Sequence, residues 1–231
     1  MPERAAIEGV SRRHDLLRVA PGFWPSILTE RPEVRDLSFV AEWAERGWPV
    51  IRRQTVACDP PDRIPVGLPL PPSADKRRIS LTVPPADVIS SGAPPRLETV
   101  RTAAPAAWAP TLDRLAALGD RRGAPPRVFG SLLWAYETGL PYLSSTSDLD
   151  LIWPASSDCD IAALLAEIDA IAQTASVRID GEVVFSDGCA VKCIELHRAF
   201  QHGPDCEVLA KSIDGVRIIA VGRLVDMEQT A

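Results

Sequence analysis

The sequence predicts an α+β protein in which a mixed sheet flanked by helices follows a smaller N-terminal α+β domain. Residues 108–231 alternate short apolar strands with segments of helical periodicity, which is typical of a helix-flanked sheet. Residues 1–90 instead combine one helix signal with a stretch crowded with proline. The Pro- and Ala-rich residues 91–107 between them are typical of a linker. We therefore expect two domains, at 1–90 and 108–231.

In the N-terminal domain, apolar residues at helical spacing predict a helix from Pro32 to Glu45, with Gly47 as its stop. The following segment, Trp48–Arg53, is typical of a strand. Proline cannot donate to a sheet ladder. For the proline-rich stretch from Val56 to Pro85 we therefore expect irregular or edge structure.

In the larger domain each element has a local signal. Pro110 suits the first turn of a helix that extends to about Leu118. After this helix the sequence predicts a strand at 127–130, a long loop, a strand at 148–153, a helix at 161–172 capped by Ser157 or Asp158, a strand at 177–185, a turn at 186–188 and a hairpin strand at 190–196.

Composition excludes several classes of protein. The 231 residues carry a net charge of −6, which argues against a nucleic-acid-binding protein. No run of 18 apolar residues is present, and the N-terminus lacks an apolar signal core, so we expect no membrane span and a cytoplasmic location. Five scattered cysteines suit a reducing compartment, and Cys189 and Cys193 have no second pair to complete a zinc site.

The most informative feature is an Asp-x-Asp pair at the start of an apolar strand. Side chains alternate along a strand, so Asp148 and Asp150 point to the same face, about 6–7 Å apart along the chain. Two such carboxylates repel each other unless a cation lies between them. Ligands made only of oxygen suit Mg²⁺, which takes the rest of its shell from water and substrate phosphates. The pair therefore predicts phosphate chemistry.

These motifs support a family resemblance. Gly130-Ser131 closing one strand and Asp148-Leu149-Asp150 opening the next resemble the nucleotidyltransferase superfamily. The residues between them, Gly-Ser-x-x-Trp at 130–134 and the Thr-Gly-Leu that begins at 138, resemble the phosphoribosyl-dephospho-CoA transferases of malonate decarboxylase, the holo-acyl-carrier-protein synthases of that complex. Further matching segments lie at 13–17, 52–53, 66–71 with Lys76, 180–182, 187–191 and 208–211. A tryptophan expected near Lys192 is absent.

The resemblance implies an activity. Members attach 2′-(5″-phosphoribosyl)-3′-dephospho-CoA to a serine of the malonate decarboxylase acyl-carrier subunit, using the 2′-(5″-triphosphoribosyl) donor and releasing diphosphate. It also implies Mg²⁺, or Mn²⁺ in its place, held by Asp148, Asp150 and a third carboxylate on the next strand. No nucleic acid or membrane takes part. The resemblance further implies that residues 1–90 form a domain that binds the substrate or the partner protein.

Within this scheme the remaining site residues are candidates. Asp180 and Glu182 share a strand face and Glu195 lies on the partner strand, so any of them could be the third carboxylate; we assign Asp180 as the third metal ligand and Glu182 as catalytic. Gly130 and Ser131 would bind the triphosphate, although Ser131 could equally cap a helix. The resemblance favours phosphate contacts from Arg53 and Lys76, while Lys211 could bind phosphate or a carboxylate.

Two other functions compete. A nucleotidyltransferase of antitoxin or drug-modifying type would use the same metal site with another acceptor. It would not require the N-terminal segment from Val66 to Lys76. A catalytically dead nucleotide-binding module would have lost a metal carboxylate, yet Asp148 and Asp150 are both present.

Overall fold

A computed structural model describes residues 12–230. The charged N-terminal segment in which the sequence shows no signal core lies partly outside the described residues. The chain divides into two compact units, Met1–Ala93 and Pro94–Ala231. Each unit combines helices with one sheet, which confirms the predicted α+β class with an N-terminal domain.

The first unit contains a five-stranded antiparallel sheet in the order β4-β3-β2-β1-β5. Its strands are β1 (Leu16–Val19), β2 (Val50–Arg52), β3 (Ile64–Pro69), β4 (Arg78–Val83) and β5 (Val88–Gly92). Three short helices connect β1 to β2, namely α1 (Trp24–Glu30), α2 (Pro32–Arg35) and α3 (Ser38–Ala41). The unit's core includes Leu17, Val66 and Leu68, whose side chains are fully buried.

The single helix predicted from Pro32 to Glu45 is wrong. The chain forms α2 and α3 with Leu37 extended between them, at ψ 107°. Both Val34 and Val40 are buried. On one straight helix these residues, six positions apart, would point about 120° away from each other. The break at Leu37 lets both side chains reach the core.

The proline-rich stretch is more regular than predicted. It supplies the edge strand β4 but also β3, which lies inside the sheet. The carbonyl of Pro65 accepts from the amide of Arg53, so Pro65 turns its backbone towards the side of β2. Pro69 has the same orientation because backbone groups alternate along a strand. Within β3, only Val66 and Gly67 pair with the short β2. Because both prolines turn their backbone towards β2, their missing N–H groups do not interrupt the ladder between β3 and β4.

The second unit is built on a six-stranded mixed sheet in the order β11-β10-β9-β8-β7-β6. The strands are β6 (Arg127–Phe129), β7 (Leu149–Pro154), β8 (Ile179–Val184), β9 (Ala190–Lys192), β10 (Glu207–Lys211) and β11 (Val216–Ala220). The β7 and β8 strands are parallel and every other neighbouring pair is antiparallel. Its helices are α4 (Leu97–Val100), α5 (Ala109–Arg122), α6 (Gly130–Thr138), α7 (Ile161–Ala172), α8 (Cys193–His202) and α9 (Val221–Gln229).

Several predicted boundaries change in this unit. Most of the segment predicted as a linker, 91–107, folds onto the second unit, where Leu97 and Val100 of α4 are buried. The long loop predicted after 130 begins instead with α6. The N-cap of α7 is Asp160, whose carboxylate accepts from the amide of Ala163, and not Ser157 or Asp158.

The hairpin strand predicted over 190–196 is correct only as far as Lys192. From Cys193 onwards the chain is helical, because Cys193, Leu196 and Ala199 are buried at helical spacing. Glu195 therefore lies on α8 instead of on a strand. Within residues 12–230, no helix has the length and apolarity that crossing a bilayer requires.

An ion pair organises the loop after β2. The guanidinium of Arg53 bonds both carboxylate oxygens of Asp59, one at 2.8 Å, and also donates to the carbonyls of Gln54 and Val66. The side chain of Asp59 is 5% exposed. The bond from Arg53 lowers the pKa of this carboxyl. The pair connects the loop to the strand β3.

We expect Asp59→Ala to lower the free energy of unfolding by about 1–3 kcal/mol, because the charged donors of Arg53 lose their acceptor. Glu42→Ala is the matched control, since Glu42 also pairs with an arginine but is half exposed. Urea denaturation would measure both variants. Since the folded pKa of Asp59 lies below its unfolded value, the stabilisation is present above the unfolded pKa and is lost as the pH falls through the folded pKa. Equal losses in the two variants would contradict the structural role.

Candidate active site

Four carboxylates lie on one face of the second sheet. Asp148 immediately precedes β7, and Asp150 is its second residue. The parallel register places Asp150 directly opposite Asp180 on β8. Glu182 lies two residues further along the same face. Non-local pairing of two strands thus brings together residues 30 positions apart in the sequence.

Gly130 forms the wall beside Asp150. It follows Phe129, which pairs with Asp150 across the antiparallel β6 and β7 strands. Gly130 has φ +67°, and a Cβ atom there would lie 1.8 Å from Oδ2 of Asp150. Only glycine therefore fits at this position. The close approach puts the first turn of α6, whose N–H groups have no acceptor within the helix, next to the Asp150 carboxylate.

Ser131 lies within that first turn. The helix starts at Gly130 with Phe129 in the cap position, so Ser131 does not cap a helix that begins at Leu132, as one reading of the sequence proposed. Its side chain is half-buried and directly follows Gly130 in the chain. The helix continues with the buried Trp134, whose ring lies 6.4 Å from that of Tyr142. Trp134 is therefore part of the core.

Two cations pair with carboxylates on this face. Arg178 bonds both oxygens of Asp148, with Nε at 2.7 Å from Oδ1. Lys192 lies 3.3 Å from Oδ2 of Asp180. The register also places Lys192 opposite Glu182, which is 6% exposed. The pKa of Arg178 is raised, first by its bond to Asp148 and more weakly by the charges of the neighbouring carboxylates.

Sequence reasoning missed both cations as site residues. The signal was present, because Arg178 is two residues before Asp180 and alternation puts both side chains on one face. Glu195 is removed from the site by its position on α8, where its Oε1 accepts from the amide of Leu209 at 2.7 Å. Asp180 and Glu182 therefore remain the candidates for a third carboxylate.

The carboxylate oxygens are chemically suited to a divalent cation, but in this structure Asp148 and Asp180 form ion pairs. In the described part of the chain, no three His, Cys, Asp or Glu side chains are arranged to hold a metal ion. The oxygens of Asp148, Asp150 and Asp180 are nevertheless the ligands that Mg²⁺ prefers. A metal held by all three would compete with Arg178 for the oxygens of Asp148 and with Lys192 for one oxygen of Asp180. Both cations are partly exposed and free to move into solvent.

The two cysteines considered for zinc do not resemble ligands. Cys189 and Cys193 are buried. Burial raises the pKa of the Cys189 thiol to about 11 and also raises that of Cys193. A metal-binding cysteine needs a thiolate, so these side chains are apolar core residues.

The three basic candidates differ in their surroundings. Arg53 is engaged with Asp59 and with backbone carbonyls in the first unit. Lys76 is exposed on the turn between β3 and β4, where Asp75 and Lys76 both have positive φ. Lys211 lies on the carboxylate face of the second sheet, in register with Ala190. Phosphate binding by these residues stays a prediction, and the contacts of Arg53 favour a structural role.

Comparison with known proteins decides the family. The model of the phosphoribosyl-dephospho-CoA transferase MdcG C-terminal domain matches residues 96–221, and that of the MdcG N-terminal domain matches residues 12–94. The chain belongs to the phosphoribosyl-dephospho-CoA transferase family. The resemblance seen in the sequence is thereby confirmed, and the chain is a transferase. The boundary between the two matches agrees with the division of the structure after Ala93.

Individual relatives give the same result. A phosphoribosyl-dephospho-CoA transferase of Bradyrhizobium diazoefficiens is 41% identical over 90% of this chain and 89% of its own length. Those of Xanthomonas euvesicatoria and Xanthomonas campestris are each 32% identical, over 82% and 77% of this chain and 87% and 81% of their own lengths. No solved structure matches. The wider nucleotidyltransferase relationship therefore stays a prediction.

We expect Gly130→Ala to reduce transfer by at least about 100-fold, because the methyl group would push the Asp150 carboxylate out of the site. Gly139→Ala is the matched control, since Gly139 has φ +70° but no atom within 4 Å of an added Cβ. Both variants carry similar backbone strain, about 1–2 kcal/mol. Transfer rates and melting curves should therefore separate them by activity and not by stability. Equal activities would show that the contact with Asp150 is dispensable.

Proposed function

We propose that this transferase attaches 2′-(5″-phosphoribosyl)-3′-dephospho-CoA to a serine of the malonate decarboxylase acyl-carrier subunit. The donor is 2′-(5″-triphosphoribosyl)-3′-dephospho-CoA. The serine oxygen forms a bond to the α-phosphorus, the bond to diphosphate breaks, and the hydroxyl proton is released. The observation that carries the proposal is the pairing of Asp150 with Asp180 beside Gly130, in a chain of this family.

The residues that would hold the metal are Asp148, Asp150 and Asp180. Mg²⁺, or Mn²⁺ in its place, supplies charge neutralisation of the phosphate oxygens and a lower pKa of the attacking hydroxyl when it is bound. The carboxylate oxygens match this ion in hardness and charge. Glu182 is buried, lies opposite Lys192 in the sheet and is the further catalytic candidate beside these ligands.

The donor phosphates are bound by backbone and side-chain donors at the start of α6. The N–H groups of a helix's first turn have no acceptor within the helix and attract phosphate. The hydroxyl of Ser131 adds one further donor. Gly130 lets a phosphate approach the backbone closely because it has no side chain. Phosphates bound here would lie next to Asp150, where the reacting phosphorus is needed.

The N-terminal unit distinguishes this function from its competitors. Residues 12–94 match the N-terminal domain of the same transferase family, which an antitoxin-like or drug-modifying nucleotidyltransferase does not explain. A catalytically dead module is disfavoured because every predicted carboxylate is present. The proposed acceptor is a protein subunit, and we assign residues 1–90 to substrate or partner binding.

The cytoplasm is the proposed location. All five cysteines are free, which suits a reducing compartment. Arg121 and Arg122, two neighbouring basic residues at the end of α5, both pair with Glu167. Glu167 offsets one of the two positive charges, and the pair does not by itself identify the carrier-binding surface.

Asp148→Asn and Asp150→Asn should each reduce transfer by about 10²–10³-fold or more while leaving the fold intact. Asparagine keeps the shape of the ligand but removes the charge that stabilises the transition state. Asp113→Asn, which removes an exposed carboxylate of α5, is the control and should retain activity. The mass shift of the carrier measures transfer, and a melting curve reports folding. Near-normal transfer by either site variant would exclude the two-aspartate site.

The acceptor is tested with purified components. The protein, Mg²⁺, the triphosphoribosyl donor and the apo-carrier should yield diphosphate and a carrier heavier by the phosphoribosyl-dephospho-CoA group. A carrier with alanine in place of its acceptor serine should gain no mass, because it has no nucleophile. ATP should replace the donor poorly. If ATP labels small alcohols or unrelated proteins as fast as the donor labels the carrier, the alternative nucleotidyltransferase function is correct.

A further inference from the structure

Arg178 forms an ion pair with Asp148, one of the proposed metal ligands. We propose that Arg178 competes with the divalent cation for Asp148 and, once displaced, binds the phosphates of the donor. This inference rests on the proposed function and assigns a role to a residue that none of the motifs includes. Arg178 thus acts first as an internal counter-ion and then as a substrate-binding residue.

The parallel pairing of β7 and β8 brings Arg178 and Asp148 together. Arg178 immediately precedes β8, as Asp148 immediately precedes β7, so the parallel pairing of the two strands places them side by side. The guanidinium occupies both carboxylate oxygens of Asp148. A metal ion that binds Asp148 needs at least one of the same oxygens. The two cations therefore exclude each other at this carboxylate, at least in part.

The side chains of Arg178 and Asp148 differ in solvent exposure. The side chain of Arg178 is 75% exposed, whereas that of Asp148 is 24% exposed. Among the described residues, the guanidinium of Arg178 bonds only Asp148. The arginine can therefore leave without breaking a packed core, while Asp148 stays in place. An exposed pair of this kind is weak enough for a metal ion to displace.

The negative charge around Arg178 would change when a metal ion and the donor bind. Four carboxylates share this face, and the charges of Asp180 and Asp150 also attract Arg178. A bound divalent cation reverses that attraction locally, because it adds two positive charges beside the guanidinium. The donor triphosphate brings negative charge to the same place. The planar fork of arginine binds phosphate oxygens in pairs, so the donor phosphates are a chemically suitable new partner for the displaced side chain.

Mn²⁺ binding without substrate tests the competition. Titration of the metal-free protein with Mn²⁺ alone, followed by electron paramagnetic resonance at low salt, should show about two- to tenfold tighter binding by Arg178→Gln, because glutamine cannot form the ion pair. Arg178→Lys should lie between glutamine and the unmodified protein. Arg121→Gln is the control, since it removes an exposed arginine that pairs with Glu167 of α7 and not with a carboxylate of the sheet. Its Mn²⁺ affinity should be unchanged.

Steady-state transfer tests the second role. In Arg178→Gln the KM for the donor should rise about tenfold or more, with a smaller change in kcat, because a charged contact to phosphate is lost. Arg178→Lys should recover part of this loss. A purely structural role would alter neither the Mn²⁺ affinity nor the KM in this pattern.

The outcomes separate the inference from the proposed function. Equal or weaker Mn²⁺ binding by Arg178→Gln overturns the competition, and an unchanged KM overturns the phosphate contact, even if Asp148→Asn abolishes transfer. If neither protein binds Mn²⁺ and Asp148→Asn remains active, the metal site itself is wrong and the inference falls with it. Tighter Mn²⁺ binding together with a raised KM supports the proposal.

Discussion

Electrostatic repulsion among carboxylates on one sheet face is the constraint on which the site depends. Asp148, Asp150, Asp180 and Glu182 converge there, and like charges on one face repel each other unless positive charge lies nearby. Arg178 and Lys192 supply that charge in the structure. The N-terminus of α6 contributes further positive potential beside Asp150. Positive charge from within the chain thus offsets part of this repulsion.

The sheet topology explains why one face carries the chemistry. On β7, Leu149, Leu151 and Trp153 point to the opposite face and are fully buried, so this strand is anchored by its apolar side. Packing on that side fixes the strand positions. The charged face can then remain partly open to a large substrate. Its geometry depends on Gly130, since any side chain at that position would occupy the space of the Asp150 carboxylate.

The two units differ in how they use charge. In the first unit, Arg53 and Asp59 form a pair that holds a loop, with Asp59 almost fully buried. In the second, Arg178 pairs with Asp148 while remaining mostly exposed. Both pairs have two-point geometry, but burial makes one a structural element and exposure leaves the other available for exchange. An arginine in a family motif is therefore not by itself evidence of substrate binding.

Local patterns were sufficient for part of this result. Alternation along single strands determined that Asp148 shares a face with Asp150, and Asp180 with Glu182, and the motif around Gly130 identified the family. Only the tertiary structure decided that Asp150 lies opposite Asp180, that Arg178 binds Asp148, and that Glu195 lies on a helix. Periodicity is a property of one segment, whereas register, ion pairing and the break at Leu37 depend on what distant segments bury against it.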